Sequence, residues 1–399
     1  MRITENMRFN TTVGYLFDTQ TQYNSVMEKM ATQKNVNRAS DDPVAATKII
    51  EIRQGLAANV QYRTNMNNAD AWVSSSESKL SGAYDLIVNA QELALAQATA
   101  TADPTTRKIA AQNVQSLIDE MASLANAKQG DRYLFSGSRN DSEPFSTTPL
   151  SAQIEPAGAA PNNAFQGTVA SSGTYTGTEN QTYALKITQG GALAASTCQI
   201  SSDGGRTWNG ADLPMVGGDI VMGDGVHLTF NDAGGTKTFS KNDMFYVHAI
   251  SSGYYRGNNE PQSVTINRGM SLAYNITGAE AFTSLGSNGN DVFKTLNDLK
   301  DALNNNDLPG ISDQIANLKD AQNQITLSQS QCGAKANEIE LAKTNLSDVD
   351  EKLNALLSGA QDADMADMAT KLSMKQLALQ ASYAMAAKIG DTSILNFLK

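Results

Sequence analysis

Fourteen positions between Ile311 and Leu357 step along the chain by fours and threes without a break: 311, 315, 318, 322, 325, 329, 332, 336, 339, 343, 346, 350, 353 and 357. They hold Ile, Ile, Leu, Gln, Ile, Gln, Cys, Ala, Ile, Lys, Leu, Asp, Leu and Leu. This spacing is a coiled-coil seam, in which a and d side chains insert into a facing helix. The polar entries Gln322, Gln329, Lys343 and Asp350 weaken the seam locally, and buried polar groups at such positions can fix register. A helix over this stretch is about 70 Å long. It needs a companion of similar length.

The companion lies near the other end of the chain. From Val44 to about Ala100, positions 49, 52, 56, 66, 73, 80, 84, 87, 94 and 98 share one register, giving a rod of roughly 85 Å. It opens at Ser40-Asp41-Asp42-Pro43. Pro43 suits the first helical position, Asp42 or Ser40 supplies the capping oxygen, and the acids sit at the positive end of the helix dipole. Asp103-Pro104 starts a shorter helix that stops before Gly130, and Val292 to Leu303 form another, ended by Leu308-Pro309-Gly310. Ser358-Gly359 is expected to break the long seam helix.

The chain ends carry seams of their own. Phe9, Val13, Leu16, Gln20, Tyr23, Met27 and Met30 follow one, and Met365, Met368, Leu372, Leu379, Ala386 and Ile389 another. The second end has a surplus, because Met374, Leu377, Ala381 and Met385 make a further apolar stripe on the same helix. A surface helix usually has one apolar stripe and one polar face. The two end helices are therefore expected to pair, with apolar surface left over for other molecules. Packing of each on the body of its own chain is the alternative.

Between the rods the composition changes. Pro144 to Pro261 holds six of the nine prolines and more than half of the glycines. Alternating runs at Tyr183–Ile187 and Val226–Phe230, and a mixed run at Met244–Ile250, are separated by Asp-Gly turn signals. These features predict a sandwich or small barrel, after which Val264-Thr-Ile-Asn-Arg-Gly leads back towards helix. The fold class is mainly α with a β-rich insertion: long antiparallel coiled-coil helices from both ends and an all-β outer domain. The expected division is 1–42 with 359–399 as terminal helices, 43–143 with 266–358 as rods, and 144–265 as the β domain.

Chemistry is sparse. The formal charge is −11 and the pI about 4.8, which argues against nucleic acid and anionic membranes as partners. No run approaches a membrane span, and the N-terminus lacks the apolar core of a cleavable signal. His227 and His248 are the only histidines and have no ligand or catalytic set around them. Cys198 and Cys332 read as small buried apolar residues. Ser202-Asp203-Gly204-Gly205 reads as a hairpin turn rather than a phosphate or calcium loop. No catalytic, cofactor or metal residues are assigned. A sugar-binding platform of Trp208, Tyr175 and Tyr183 is the one binding option in the insert, with core or turn packing the better reading. A surface adhesin with a coiled-coil stalk and β head shows the same alternation but usually carries a signal or anchor.

Several motifs together resemble the flagellin superfamily and, within it, the hook–filament junction branch. They are Met1-Arg2-Ile3-Thr4, Ser40-Asp41-Asp42-Pro43-Val44-Ala45, Tyr133-Leu134-Phe135-Ser136-Gly137, Pro144-Phe145 and Ser393-Ile394-Leu395-Asn396-Phe397-Leu398. The resemblance covers about 1–145 and 265–399, and Gln33-Lys34-Asn35-Val36-Asn37 departs from the family's basic turn. It implies a non-catalytic structural protein, exported through the flagellar type III apparatus without a cleaved signal, that sits outside the cell as a ring of its own copies. Its implied partners are hook-associated protein 1 on the hook side, flagellin on the filament side, and an export chaperone on the C-terminal helix. The alternative within the superfamily is flagellin, the filament subunit. The expected assembly faces are Val13, Leu16, Tyr23, Met27 and Met30 at one end, and Met365, Met368, Leu372, Leu377, Leu379, Met385 and Ile389 at the other.

Overall fold

A computed structural model describes residues 5–99, 102–234, 236–285 and 289–397. Its helices are α1 (Glu5–Thr32), α2 (Pro43–Gln97), α3 (Pro104–Ala125), α4 (Gly278–Phe282), α5 (Val292–Asn304), α6 (Leu308–Gln361) and α7 (Met365–Phe397). All the regular β structure lies between α3 and α4, so the chain is helical at both ends and β-rich in the middle, as its patterning implies. It forms two compact units, Met1–Arg63 with Lys343–Lys399, and Thr64–Ala342.

The seam of α6 is covered along its whole length, since none of the fourteen register positions is exposed and Ile311, Leu318, Ile325, Cys332 and Ile339 are fully buried. None of the nine register positions within α2 is exposed either, nor is Ala98 just beyond its end. The two helices run antiparallel. In the first unit Asn59 Nδ2 donates to Asp350 at 2.7 Å and Arg53 to Gln361 at 3.0 Å. In the second, Gln322 Nε2 donates to the Tyr84 hydroxyl at 2.8 Å. Two of the four polar seam residues, Gln322 and Asp350, thus make the cross-helix contacts that set register.

Helix starts follow local chemistry. Asp42, not Ser40, caps α2, with Oδ1 accepting from the amides of Val44 and Ala45 at 3.0 Å each. Asp41 instead closes the preceding turn by accepting from Asn37 N and Arg38 N at 2.9 Å, and the Arg38 and Asn37 amides hold its carboxyl below the usual range. Asp103 caps α3 from Thr105 N at 2.7 Å and Thr106 N at 2.9 Å.

Two expected helix stops fall elsewhere. Leu308-Pro309-Gly310 opens α6 rather than ending α5, because proline is tolerated in a first turn where its missing N–H has no partner to lose. The actual stop is Asn305-Asn306, with Asn306 in the left-handed region at φ 57°. Ser358-Gly359 does not break α6, which continues to Gln361. A glycine inside a helix costs only about 1 kcal/mol. The chain leaves the helix where another segment captures its backbone: Asn35 N donates to Gln361 O at 2.7 Å and Ala363 N to Gln33 O at 3.0 Å.

Arg107 carries no sequence signal, yet it is buried. Its guanidinium donates to the carbonyls of Gln97 at 3.1 Å and Thr99 at 2.8 Å, and to the Asn306 side chain. It satisfies orphan acceptors at the C-terminal end of α2, where a cation is favoured.

The insert is a two-layer β structure. The larger sheet runs Gln153–Ile154, Met244–Ile250, Gln181–Gln189, Thr197–Ser201 and Leu213–Pro214, with Gly158–Ala159 also paired to Met244–Ile250. The smaller runs Asp219–Gly223, Val226–Asn231 and Thr168–Gly173, and every pairing is antiparallel. Period-2 alternation turns Tyr183, Leu185, Ile187, Phe245, Val247 and Ala249 of one sheet onto Ile220, Val226, Leu228 and Phe230 of the other. Phe165 stacks on Phe239 with ring centroids 4.0 Å apart. Val264–Gly269 does not lead into helix. It forms the first strand (Ser263–Asn267) and turn of a hairpin returning through Met270–Ala273, with Gly269 at φ 76°.

Where insert and helices meet, Leu134 and Phe135 are fully buried, and Phe135 packs edge-on against Phe282 at 5.4 Å while Phe145 stacks on Phe293 at 5.0 Å. Gly137 sits at φ 70°, and a Cβ there would lie 2.1 Å from the carbonyl oxygen of Asn258, so no other residue fits.

Candidate assembly interface

Helices α1 and α7 pack along each other in the first unit, antiparallel. Lys375 Nζ donates to Gln22 Oε1 at 2.6 Å, the Tyr383 hydroxyl to Gln20 Oε1 at 2.7 Å, and Lys34 bridges Asp362 through the backbone. Asp364 caps α7, accepting from Ala366 N at 2.9 Å and Asp367 N at 3.3 Å.

Burial divides the expected interface residues into two groups. On α7, Met368 is 6% exposed, and Leu372, Lys375, Leu379, Ser382 and Ala386 are half-buried. These six alternate by four and three, so they form the face applied to α1. On α1 the expected register positions Val13, Leu16, Gln20, Tyr23 and Met30 are half-buried, as are the neighbouring Thr12, Thr19, Val26 and Lys29. Leu379 therefore belongs to the intramolecular seam. The second stripe is open: Met374 is 59%, Leu377 69% and Met385 61% exposed, and Ala381 is exposed beside them. Met365 and Met27 are also exposed. The side chains of Phe9 and Ile389 lie outside the described residues, as do Met1–Thr4 and the side chains of Ser393–Leu398.

Sequence reasoning missed Met7, Tyr15 and Phe17, which are exposed on α1 away from its seam. Three large apolar side chains off the 4-3 register were the available signal. The open stripe of Met374, Leu377, Ala381 and Met385 carries no charged side chain. The ion pair within α7, Lys371 to Asp367 at 2.6 Å, is half-exposed and of the i,i+4 kind that adds only about 0.3–0.5 kcal/mol.

The remaining candidates are accounted for by packing. Tyr175 and Tyr183 are core residues of the β domain, with the Tyr183 hydroxyl donating to Asp224 at 2.6 Å, so the aromatic platform with Trp208 does not exist. Trp208 instead receives Lys186 Nζ over its ring at 4.6 Å. The Asp203 turn is closed on itself. Burial alone would raise its carboxyl, but hydrogen bonds from Ser201, Thr207 and Arg206 outweigh that and hold it well below the usual range. His227 meets Asp219 at 3.1 Å, and His248 meets Thr182 at 2.9 Å. Both cysteines are free and buried, and burial pushes Cys198 up to about 11 and Cys332 to about 12. Among the described residues no group of His, Cys, Asp and Glu is placed to hold a metal, and no helix is long and apolar enough to cross a membrane.

Comparison with known proteins agrees with this architecture. Residues 3–140 match the bacterial flagellin N-terminal helical region and residues 315–398 the bacterial flagellin C-terminal helical region, together more than half of the chain. Flagellar hook-associated protein 3 of Escherichia coli K12 is 33% identical over 147 residues, covering 37% of this chain and 46% of that protein. The chain thus spans about half the length of that relative. A flagellin of Clostridium tyrobutyricum is 22% identical over 395 residues, 97% of this chain and 98% of that one. Among solved structures, a flagellar hook-associated protein of Vibrio parahaemolyticus shares the fold with a TM-score of 0.50 at 15% identity, covering 81% of this chain and all of that one. With both of its helical ends matched to those of flagellin, the chain belongs to the flagellin family.

Proposed function

We propose that the chain is a structural subunit of the bacterial flagellum that forms the junction between hook and filament, rather than an enzyme. The observation carrying this reading is the uncovered stripe Met374, Leu377, Ala381 and Met385 on a helix whose other face is already taken by α1. A continuous apolar face left open on a paired helix is an interaction site. In a chain with flagellin-type ends, its occupants are neighbouring subunits. The identity to a hook-associated protein favours a junction position, with a hook-associated protein on one side, flagellin on the other and a ring of copies between. Before assembly the same face is the natural target of an export chaperone.

The full-length alignment with a flagellin supports a second reading, a filament subunit. Electron microscopy of seeded growth separates the two. A junction protein stops after one layer, and a filament subunit elongates. Antibody labelling of sheared flagella locates it directly: label confined to one band at the hook end fits the junction, and label along the filament rejects it.

A further inference from the structure

The methionines are distributed unevenly. Of the fourteen in the chain, Met66, Met121, Met215, Met222 and Met368 are buried. Among the described residues the exposed ones are Met7, Met27, Met270, Met365, Met374 and Met385, and all but Met270 lie on α1 or α7. Within α7 the division follows the faces. Met368 is buried with Leu372 and Leu379 in the covered seam, whereas Met374 and Met385 flank Leu377 on the open stripe. Leucine fills an apolar face equally well but is inert to oxidants, whereas a thioether sulfur in solvent is not. Both cysteine thiols are buried and held protonated, so they do not compete for oxidant.

We propose that Met7, Met374 and Met385 are sulfoxidation sites through which peroxide-class oxidants block docking of the free subunit. The thioether sulfur attacks one peroxide oxygen, the O–O bond breaks, an S–O bond forms, and the other oxygen leaves as water. Sulfur is oxidised by two electrons and the peroxide reduced by two. The sulfoxide replaces an apolar side chain with a strong acceptor, which is costly to bury without a donor. Once docked, the same sulfurs are shielded, so the sensitivity belongs to the unassembled chain. This inference rests on the reading of the open stripe as a docking face.

The test treats the full chain with dilute hydrogen peroxide, maps sulfoxides by peptide mass, and measures incorporation onto purified hooks stripped of this subunit. Expected are oxidation of Met7, Met374 and Met385 at least about tenfold faster than Met66, Met121 and Met215, and a fall in incorporation of about tenfold or more. A variant with Met7→Leu, Met374→Leu and Met385→Leu should fold, incorporate, and keep incorporating after peroxide. Equal loss in that variant overturns the proposal, as does full incorporation of oxidised wild type under conditions where Leu377→Asp is blocked. If Leu377→Asp incorporates normally, the docking reading itself is wrong. The two failures are therefore distinguishable.

Discussion

Helices α6 and α7 follow one another in sequence, and both carry heptad-type seams, yet their apolar residues are used differently. On α6 every register position is covered within the chain. On α7 one stripe is covered by α1 and a second is left in solvent. Periodicity alone shows that a helix has a partner. The number of stripes, set against the number of available helices, shows whether the partner is supplied by the same chain. In α6 apolar content stabilises the monomer, and in α7 part of it is held in reserve.

The contrast breaks if substitutions on the two helices behave alike. Ile325→Ala on α6 leaves a cavity in the covered seam and should destabilise the protein by about 2–5 kcal/mol in denaturant unfolding. Leu377→Asp on α7 should leave folding within about 0.5 kcal/mol of wild type while abolishing incorporation at the hook. Equal losses of stability at both sites would falsify the distinction. Because α7 is covered on one side only, it depends more on its ends. Asp364→Ala should remove about 1 kcal/mol from the helix, seen as faster amide exchange confined to α7. Limited proteolysis sharpens the same point: cleavage within residues 1–40 and 360–399 is expected before cleavage of α2, α6 or the β domain.

The smallest effect concerns pH. Burial, with the nearby Arg139 cation, depresses the His248 pKa below the ordinary histidine value of 6.5. The unfolded chain therefore takes up this proton before the folded one does. Stability contributed by neutral His248 is fully present above pH 6.5 and is lost as pH falls through the lower folded value. The β domain should melt earlier at pH 5 than at pH 7, and His248→Gln should reduce that difference. The helix pair α1–α7 contains no histidine and should show no such step. A histidine-like transition in α7 exchange would contradict it.

Elements built on long periodic repetition were legible in the sequence. The α6 register runs through fourteen positions, so single polar entries such as Asp350 could not hide it. Strand alternation at Tyr183–Ile187 and Val226–Phe230 was legible for the same reason. Endings were less so. Gly359 and Pro309 are strong local breakers, but the backbone capture of Gln361 and Ala363 and the first-turn tolerance for proline decided the outcome. Both depend on residues distant in sequence or on position within a turn. The seam face of α7 was readable, but whether Leu379 faced its own chain or another molecule was not. The two cases have the same spacing and differ only in three-dimensional cover. Arg107 was invisible because a lone arginine near a helix start gives no sign of the carbonyls it will meet.

The backbone bridge between residues 33–35 and 361–363 has a mechanical consequence. It joins the two strands of the polypeptide where α1 gives way to the run towards α2, and where α6 gives way to α7. Tension applied to either end helix does not pass down one strand alone. It reaches a rivet of two backbone hydrogen bonds and is divided between α2 and α6. With the load shared, neither long helix takes it alone.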